Sequence, residues 1–167
     1  MNAALPVIDQ KVSVRLLFVC LGNICRSPIV EAVARSEFAR AGIDVDVASA
    51  GTGDYHVGEG ADPRAVTVAA ASGYSLERHR AAQVKAADFA AYDRILAMDL
   101  ANLRDLRALA SHEYRNRIEL FLDYSGATPP REVPDPYFGG RSGFEHVVEL
   151  ARRGCQALVG QWRNGGR

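Results

Sequence analysis

An α/β domain built on a parallel sheet is the fold class this sequence predicts, on three observations. Short, β-branched, nearly continuous apolar runs alternate with stretches of helical periodicity, the pattern of strands covered on both faces by crossover helices. Two cap-and-proline pairs, Ser27-Pro28 and Asp62-Pro63, stand where helices should open, because proline lacks the N–H that a first helical turn leaves unpaired. At 167 residues the chain has the size of one domain, large enough to bury a core without staples.

The elements follow in order. Residues 1–12 lack a basic region and an apolar run, and Asp9 interrupts them, so they read as a flexible leader rather than a signal peptide. The domain proper is expected over 13–163, with a flexible tail at 164–167. Val14 to Val19, interrupted by Arg15, suits a buried strand. Ser27 as N-cap opens a helix that runs to Gly42, a natural stop. Val45 to Ala48 predicts a second strand, broken by Gly51-Thr52-Gly53, and Asp62-Pro63 opens a helix ending near Gly73. Lys85 to Tyr92 has a short helical pattern and Arg94 to Met98 that of a third strand. Asp99 then caps a helix with Leu100, Leu103, Leu106 and Leu109 on its buried side, and Arg117 to Leu122 reads as a fourth strand. A proline- and glycine-rich loop over 123–143 is long for a compact domain, a length usually kept for function or disorder. From Phe144 to Trp162 apolar residues recur at helical spacing.

Composition narrows the function. The chain is 48% hydrophobic and 24% charged, and its twenty basic and twenty acidic residues cancel. Nothing global points to nucleic acid or to an anionic membrane, and no run approaches the ~20 apolar residues of a membrane span. Three cysteines, an odd number, argue against a disulfide framework and for a reducing compartment. A cytoplasmic monomer is expected, with signal-free secretion left open.

The stretch Cys20-Leu21-Gly22-Asn23-Ile24-Cys25-Arg26-Ser27-Pro28 sits where the first strand turns into the first helix. Such a loop turns backbone N–H groups toward one concavity at a helix N-terminus, which favours an anion. Arg26 adds a planar fork suited to two phosphate oxygens. Cys20, under the same positive field, is favoured as thiolate. The bland reading makes Cys20 and Cys25 small buried apolar residues and Arg26 a surface charge. A nucleotide-binding P-loop needs a Gly-Lys-Ser/Thr ending that is absent, and the spacing is not that of paired zinc ligands. No metal or other cofactor is expected.

These nine residues resemble the signature loop of the low-molecular-weight protein tyrosine phosphatases. The likeness extends to Ser49-Ala50-Gly51-Thr52, to Met98-Asp99 with Asn102 to Leu106, and to Asp135-Pro136-Tyr137, in the family's order. It implies a single four-stranded parallel sheet of order 2-1-3-4 with helices on both faces. It further implies that Cys20 attacks phosphorus while Arg26 and the loop N–H groups of Leu21, Gly22, Asn23, Ile24 and Cys25 hold the phosphate oxygens. Protonating a leaving phenolate needs an acid. Asp135, bracketed by Pro134 and Pro136, is either a restrained turn or that acid, and the resemblance assigns the acid.

Other roles follow from the resemblance. Ser27 is expected to support the Cys20 sulfur besides capping its helix. Asn23 tolerates a left-handed backbone and joins a network with Ser49. Asp99 resembles a family aspartate that supports the loop and its arginine, against the bland reading of a simple helix cap. Tyr55, Tyr137 and Phe138 are expected to wall a slot for a phenyl ring. His79 lies near the site without direct catalysis, whereas His56, His112 and His146 are expected to face solvent. Cys25 would form a protective disulfide with Cys20 under oxidation, and Cys155 reads as inert core. The implied partner is a tyrosine-phosphorylated protein, with inorganic phosphate as product and inhibitor. Two rivals stand beside this reading. An arsenate reductase on the same fold would need two further cysteines on a mobile segment, and a non-catalytic phosphotyrosine-binding module would lack the nucleophile or the acid.

Overall fold

A computed structural model describes residues 13–165. The expected leader at 1–12 and the last two residues of the tail lie outside the described residues. Four parallel strands form one sheet of order β2-β1-β3-β4. They are β1 (Val14–Cys20), β2 (Val45–Gly51), β3 (Arg94–Ala97) and β4 (Ile118–Leu120). Helices α1 (Arg26–Arg40), α2 (Pro63–Ala71), α3 (Asp88–Ala91), α4 (Leu100–Leu109), α5 (Phe121–Ser125) and α6 (Arg141–Arg163) connect and cover them.

Alternation along β1 divides the core. Leu16, Phe18 and Cys20 face the layer of α1 and α6, whereas Leu17 and Val19 face that of α3 and α4. Because successive strand residues point to opposite faces, an unbroken apolar run is what a doubly covered strand requires. The α6 stripe, Phe144, Val147, Val148, Ala151, Cys155, Leu158 and Val159, is buried throughout. Each large side chain so buried contributes about 1.5–3 kcal/mol. Trp162 closes the stripe against Phe38, ring centroids 4.8 Å apart. Phe18 meets Phe121 edge to face at 5.7 Å. On α6, Gly154 leaves room for the Phe121 ring, and a β-carbon there would collide with it.

Expectations change at several points; the long loop, for one, spans only 126–140 between α5 and α6. The first helix opens at Arg26, with Cys25 and not Ser27 at its cap position; the Ser27 hydroxyl turns inward instead. The second strand continues through Ser49 and Ala50 to Gly51 rather than stopping at Ala48. The fourth strand stops at Leu120, and Phe121 and Leu122 start α5; both are buried, so an apolar run alone did not separate strand from helix. On α4, Leu103 and Leu106 are buried, but Leu100 and Leu109 at its ends are exposed. Asp62 and Asp99 do cap α2 and α4, accepting from the N–H of Arg64 at 2.8 Å and of Asn102 at 2.7 Å.

Candidate active site

The carboxyl end of β1, an interior strand, delivers Cys20 to the end of the sheet beyond which open α/β sheets bind ligands. Between Cys20 and α1 the chain turns through Asn23, the one described non-glycine residue with positive φ, at 56°. An asparagine tolerates this left-handed backbone better than most side chains. It is then fixed from every side. The Asn23 amide nitrogen donates to Ser27 Oγ at 2.8 Å and to Ser49 Oγ at 3.0 Å. Its Oδ1 accepts from the Ala82 N–H at 2.9 Å, and its carbonyl lies 2.7 Å from His79 Nε2. Among the described residues no protein acceptor engages the N–H groups of Gly22, Ile24 or Cys25. Free donors at a helix N-terminus make an anion receptor.

The Cys20 sulfur accepts from the Asn23 N–H at 3.3 Å and lies 2.9 Å from Ser27 Oγ. Because Ser27 Oγ already accepts from Asn23, its own proton is free to point at the sulfur, nearer than the Ala50 carbonyl at 3.4 Å. The β2 end forms a floor beneath the loop. Thr52 and Gly53 donate to the carbonyls of Cys20 and Leu21, each at 2.9 Å, and a β-carbon on Gly51 would stand 2.6 Å from the Leu21 oxygen.

Arg26 is buried with its guanidinium aimed across the same mouth. Its Nη1 donates to Asp99 Oδ2 at 2.6 Å and to the Val133 carbonyl at 3.0 Å, while Nη2 lies 3.9 Å from Asp135 Oδ2. Burial alone would lower the pKa of this group, but the charges of Cys20, Asp99 and Asp135 outweigh it and hold the guanidinium firmly protonated. Asp99 thus serves both alternatives at once, one oxygen capping α4 and the other orienting Arg26. Asp135 sits opposite, 45% exposed, its Oδ1 accepting from the Tyr137 N–H at 3.1 Å.

These groups line one cavity of about 320 Å³ with Leu21, Gly22, Ile24, Cys25, Tyr55, Tyr137 and Phe138. Ser27, Ser49, Asn23 and Asp99 stand behind it as supports. His56 corrects an expectation. It lines the cavity rather than facing solvent alone, its Nδ1 2.7 Å from Glu59 Oε2 and its ring edge over Gly22. Adjacency to Tyr55 was the sequence signal for it. His112 and His146 are exposed. The three cysteines are free. Burial first, then the charges of Asp62, Cys20 and Asp135, pushes the Cys25 thiol up to about 12. Burial likewise raises Cys155, which has no exposed surface. Among the described residues no group of three or more His, Cys, Asp or Glu converges as a metal site, and no helix is long and apolar enough to cross a membrane.

A cysteine and an arginine bracketing an anion-receiving loop, on a four-stranded parallel sheet, define a class of cysteine-dependent phosphate enzymes. A family model described as low molecular weight phosphotyrosine protein phosphatase matches residues 15–165, and the chain belongs to that family. It is 44% identical over 150 residues to the low molecular weight protein-tyrosine-phosphatase of Streptomyces coelicolor, covering 87% of this chain and 91% of the relative. With the low molecular weight phosphotyrosine protein phosphatase of Sus scrofa it shares 39% over 156 residues, 90% of this chain and 96% of the relative. A crystal structure of a protein tyrosine phosphatase from Entamoeba histolytica with Hepes in the active site superposes with a TM-score of 0.86 at 37% identity, over 92% of this chain and 99% of that one. The Vibrio vulnificus protein Wzb in complex with benzylphosphonate superposes at 0.79 and 31% identity, over 90% and 99%.

Proposed function

We propose that this enzyme hydrolyses phosphotyrosine in proteins through a cysteinyl-phosphate, with Cys20 as nucleophile, Arg26 as phosphate clamp and Asp135 as acid and then base. The observation that carries this reading is the convergence of the Cys20 sulfur, the Arg26 fork and the Asp135 carboxyl on one cavity. The Cys20 thiolate attacks phosphorus in line. The P–O bond breaks, and the phenolate takes its proton from Asp135. Asp135, now ionised, removes a proton from water, whose oxygen attacks the cysteinyl-phosphate, releases inorganic phosphate and restores the thiolate. The Ser27 hydroxyl steadies the thiolate as it leaves. Arg26 and the loop N–H groups bear the charge on the equatorial oxygens.

Tyr55, Tyr137 and Phe138 at the rim favour an aryl over an alkyl ester, and the benzylphosphonate held by the Vibrio relative is of the same shape class. Arsenate reduction lacks its relay, since the only cysteine beyond the loop, Cys155, is buried in α6. The enzyme is read as a cytoplasmic monomer, which sedimentation at micromolar concentration and fractionation of the source cells would test. For the reaction, the phosphotyrosine peptide should turn over and its phosphoserine counterpart should not, with vanadate inhibiting. Cys20→Ser should lower turnover by about four orders of magnitude or more while phosphate still binds. Retained turnover in that variant would sink the mechanism.

A further inference from the structure

We propose that Arg64 is the positioning residue of the acid loop, fastening the segment that carries Asp135 to the segment that carries Cys20. This rests on the phosphatase reading above. Asp62 is the fixed end of the device. Its N–H donates to the Ile24 carbonyl inside the nucleophile loop at 2.9 Å, and its carboxylate caps α2. The same carboxylate accepts two bonds from the guanidinium, Arg64 Nε to Oδ1 at 3.1 Å and Nη2 to Oδ2 at 2.8 Å. A bidentate pair sets the plane of an arginine as well as its position.

Held in that plane, the guanidinium lies 4.7 Å from the Phe144 ring centroid and 5.4 Å from that of Tyr137, within the range of cation–π attraction. Its Nη1 also reaches the Gly139 carbonyl at 3.5 Å, the outer limit of a hydrogen bond. Phe144 is buried in the first turn of α6 and belongs to the helix, not to the loop. Tyr137 does belong to the loop. Its N–H is the donor to Asp135 Oδ1, and only Pro136, with its restricted φ, separates the two residues. Where the Tyr137 ring rests therefore governs where the Asp135 carboxyl points. Asp135 has few other restraints, its nearest cation among the described residues being Arg26 Nη2 at 3.9 Å. Arg64 is half exposed, so solvent screens its ion pair; its effect lies in geometry.

The test uses a series of aryl phosphates whose phenols span a range of acidity, assayed with the wild type, Arg64→Met, Arg64→Lys, Asp135→Asn and the Arg64→Met/Asp135→Asn double variant. Misplacing an acid by a fraction of an ångström should cost Arg64→Met about tenfold in kcat/KM on poor leaving groups and little on good ones. Arg64→Lys, which keeps charge without the fork, should fall between. In the Asp135→Asn background Arg64→Met should add less than about twofold, because both substitutions act on one step. Equal losses across all phenols, or losses that multiply in the double variant, would overturn the proposal. Should Arg64→Met melt below the assay temperature, Arg64→Lys and Tyr137→Leu carry the same comparison of slopes. A wild type with no aryl phosphatase activity would overturn the phosphatase reading itself. An active wild type with unchanged slopes in the Arg64 variants would overturn only the role of Arg64.

Discussion

The loop that carries Cys20 and the loop that carries Asp135 are held in opposite ways. Around Cys20 the Asn23 side chain and Arg26 are buried and bonded to Ser49 near the end of β2, to Asp99 just beyond β3, and to the loops at Ala82 and Val133. Around Asp135 the carboxyl is 45% exposed, and Phe138 beyond it is 94% exposed. Val133, bonded to the Met98 carbonyl at 2.8 Å and to Arg26, is the last firmly buried point before the acid. One half of the reaction needs a fixed frame and the other does not. Five-coordinate phosphorus has one geometry, so its receptor is built rigid. Phenols of different peptides leave in different surroundings, so their acid sits on a segment with room to adjust.

Substitutions can break that contrast. Asp135→Asn should cost about 10²–10⁴ in kcat on poor leaving groups, far less on good ones, with the melting temperature unchanged; equal losses would remove Asp135 as the acid. Next, Arg26→Lys should lower kcat by about 10²–10³ and weaken inhibition by phosphate, since a lysine has no fork to share between Asp99, Val133 and the substrate. Unlike the Asp135 change it should also lower the melting temperature. Asn23→Ala strands several buried partners and should cost about 1–3 kcal/mol of stability, read by denaturant melts, along with a fall in kcat. An unaltered midpoint would show that the loop is not fixed through Asn23. Phe138→Ala should do least, raising KM for aryl phosphates a few-fold with kcat retained.

Cys25 gives the rigid loop a pH signature. With its thiol pushed up to about 12 from a usual 9, the unfolded chain releases this proton before the folded one does. The contribution to stability is therefore fully present below pH 9 and is lost as pH rises toward 12. Thermal melts over that interval should decline less steeply in Cys25→Ala than in the wild type; parallel declines would contradict the shift.

Legibility in the sequence followed the same division. The nucleophile loop is contiguous in the chain, so its residues, the strand before it and the helix after it could be read from one segment. Asp135 was reached through its bracketing prolines and the family likeness rather than through any periodicity. What sequence patterns missed were choices that only tertiary neighbours decide. Ser27 left its capping position because Asn23 and the Cys20 sulfur offered buried partners. Leu100 and Leu109 carry the right residue type at helix ends that stay exposed among the described residues. His56 became part of the cavity because Gly22, without a side chain, let the ring approach.

The floor under the loop bears on how this chain can drift. Substituents at Gly42 or Gly58 would meet no neighbouring atom, although the positive φ of each keeps them costly. At Gly51 the obstacle is another stretch of main chain, the Leu21 carbonyl, which no alternative rotamer can move aside. A lineage descending from this sequence can therefore redecorate the rim around Tyr55 and Phe138 and so explore new targets, while any side chain at position 51 has to displace the main chain that carries the nucleophile loop.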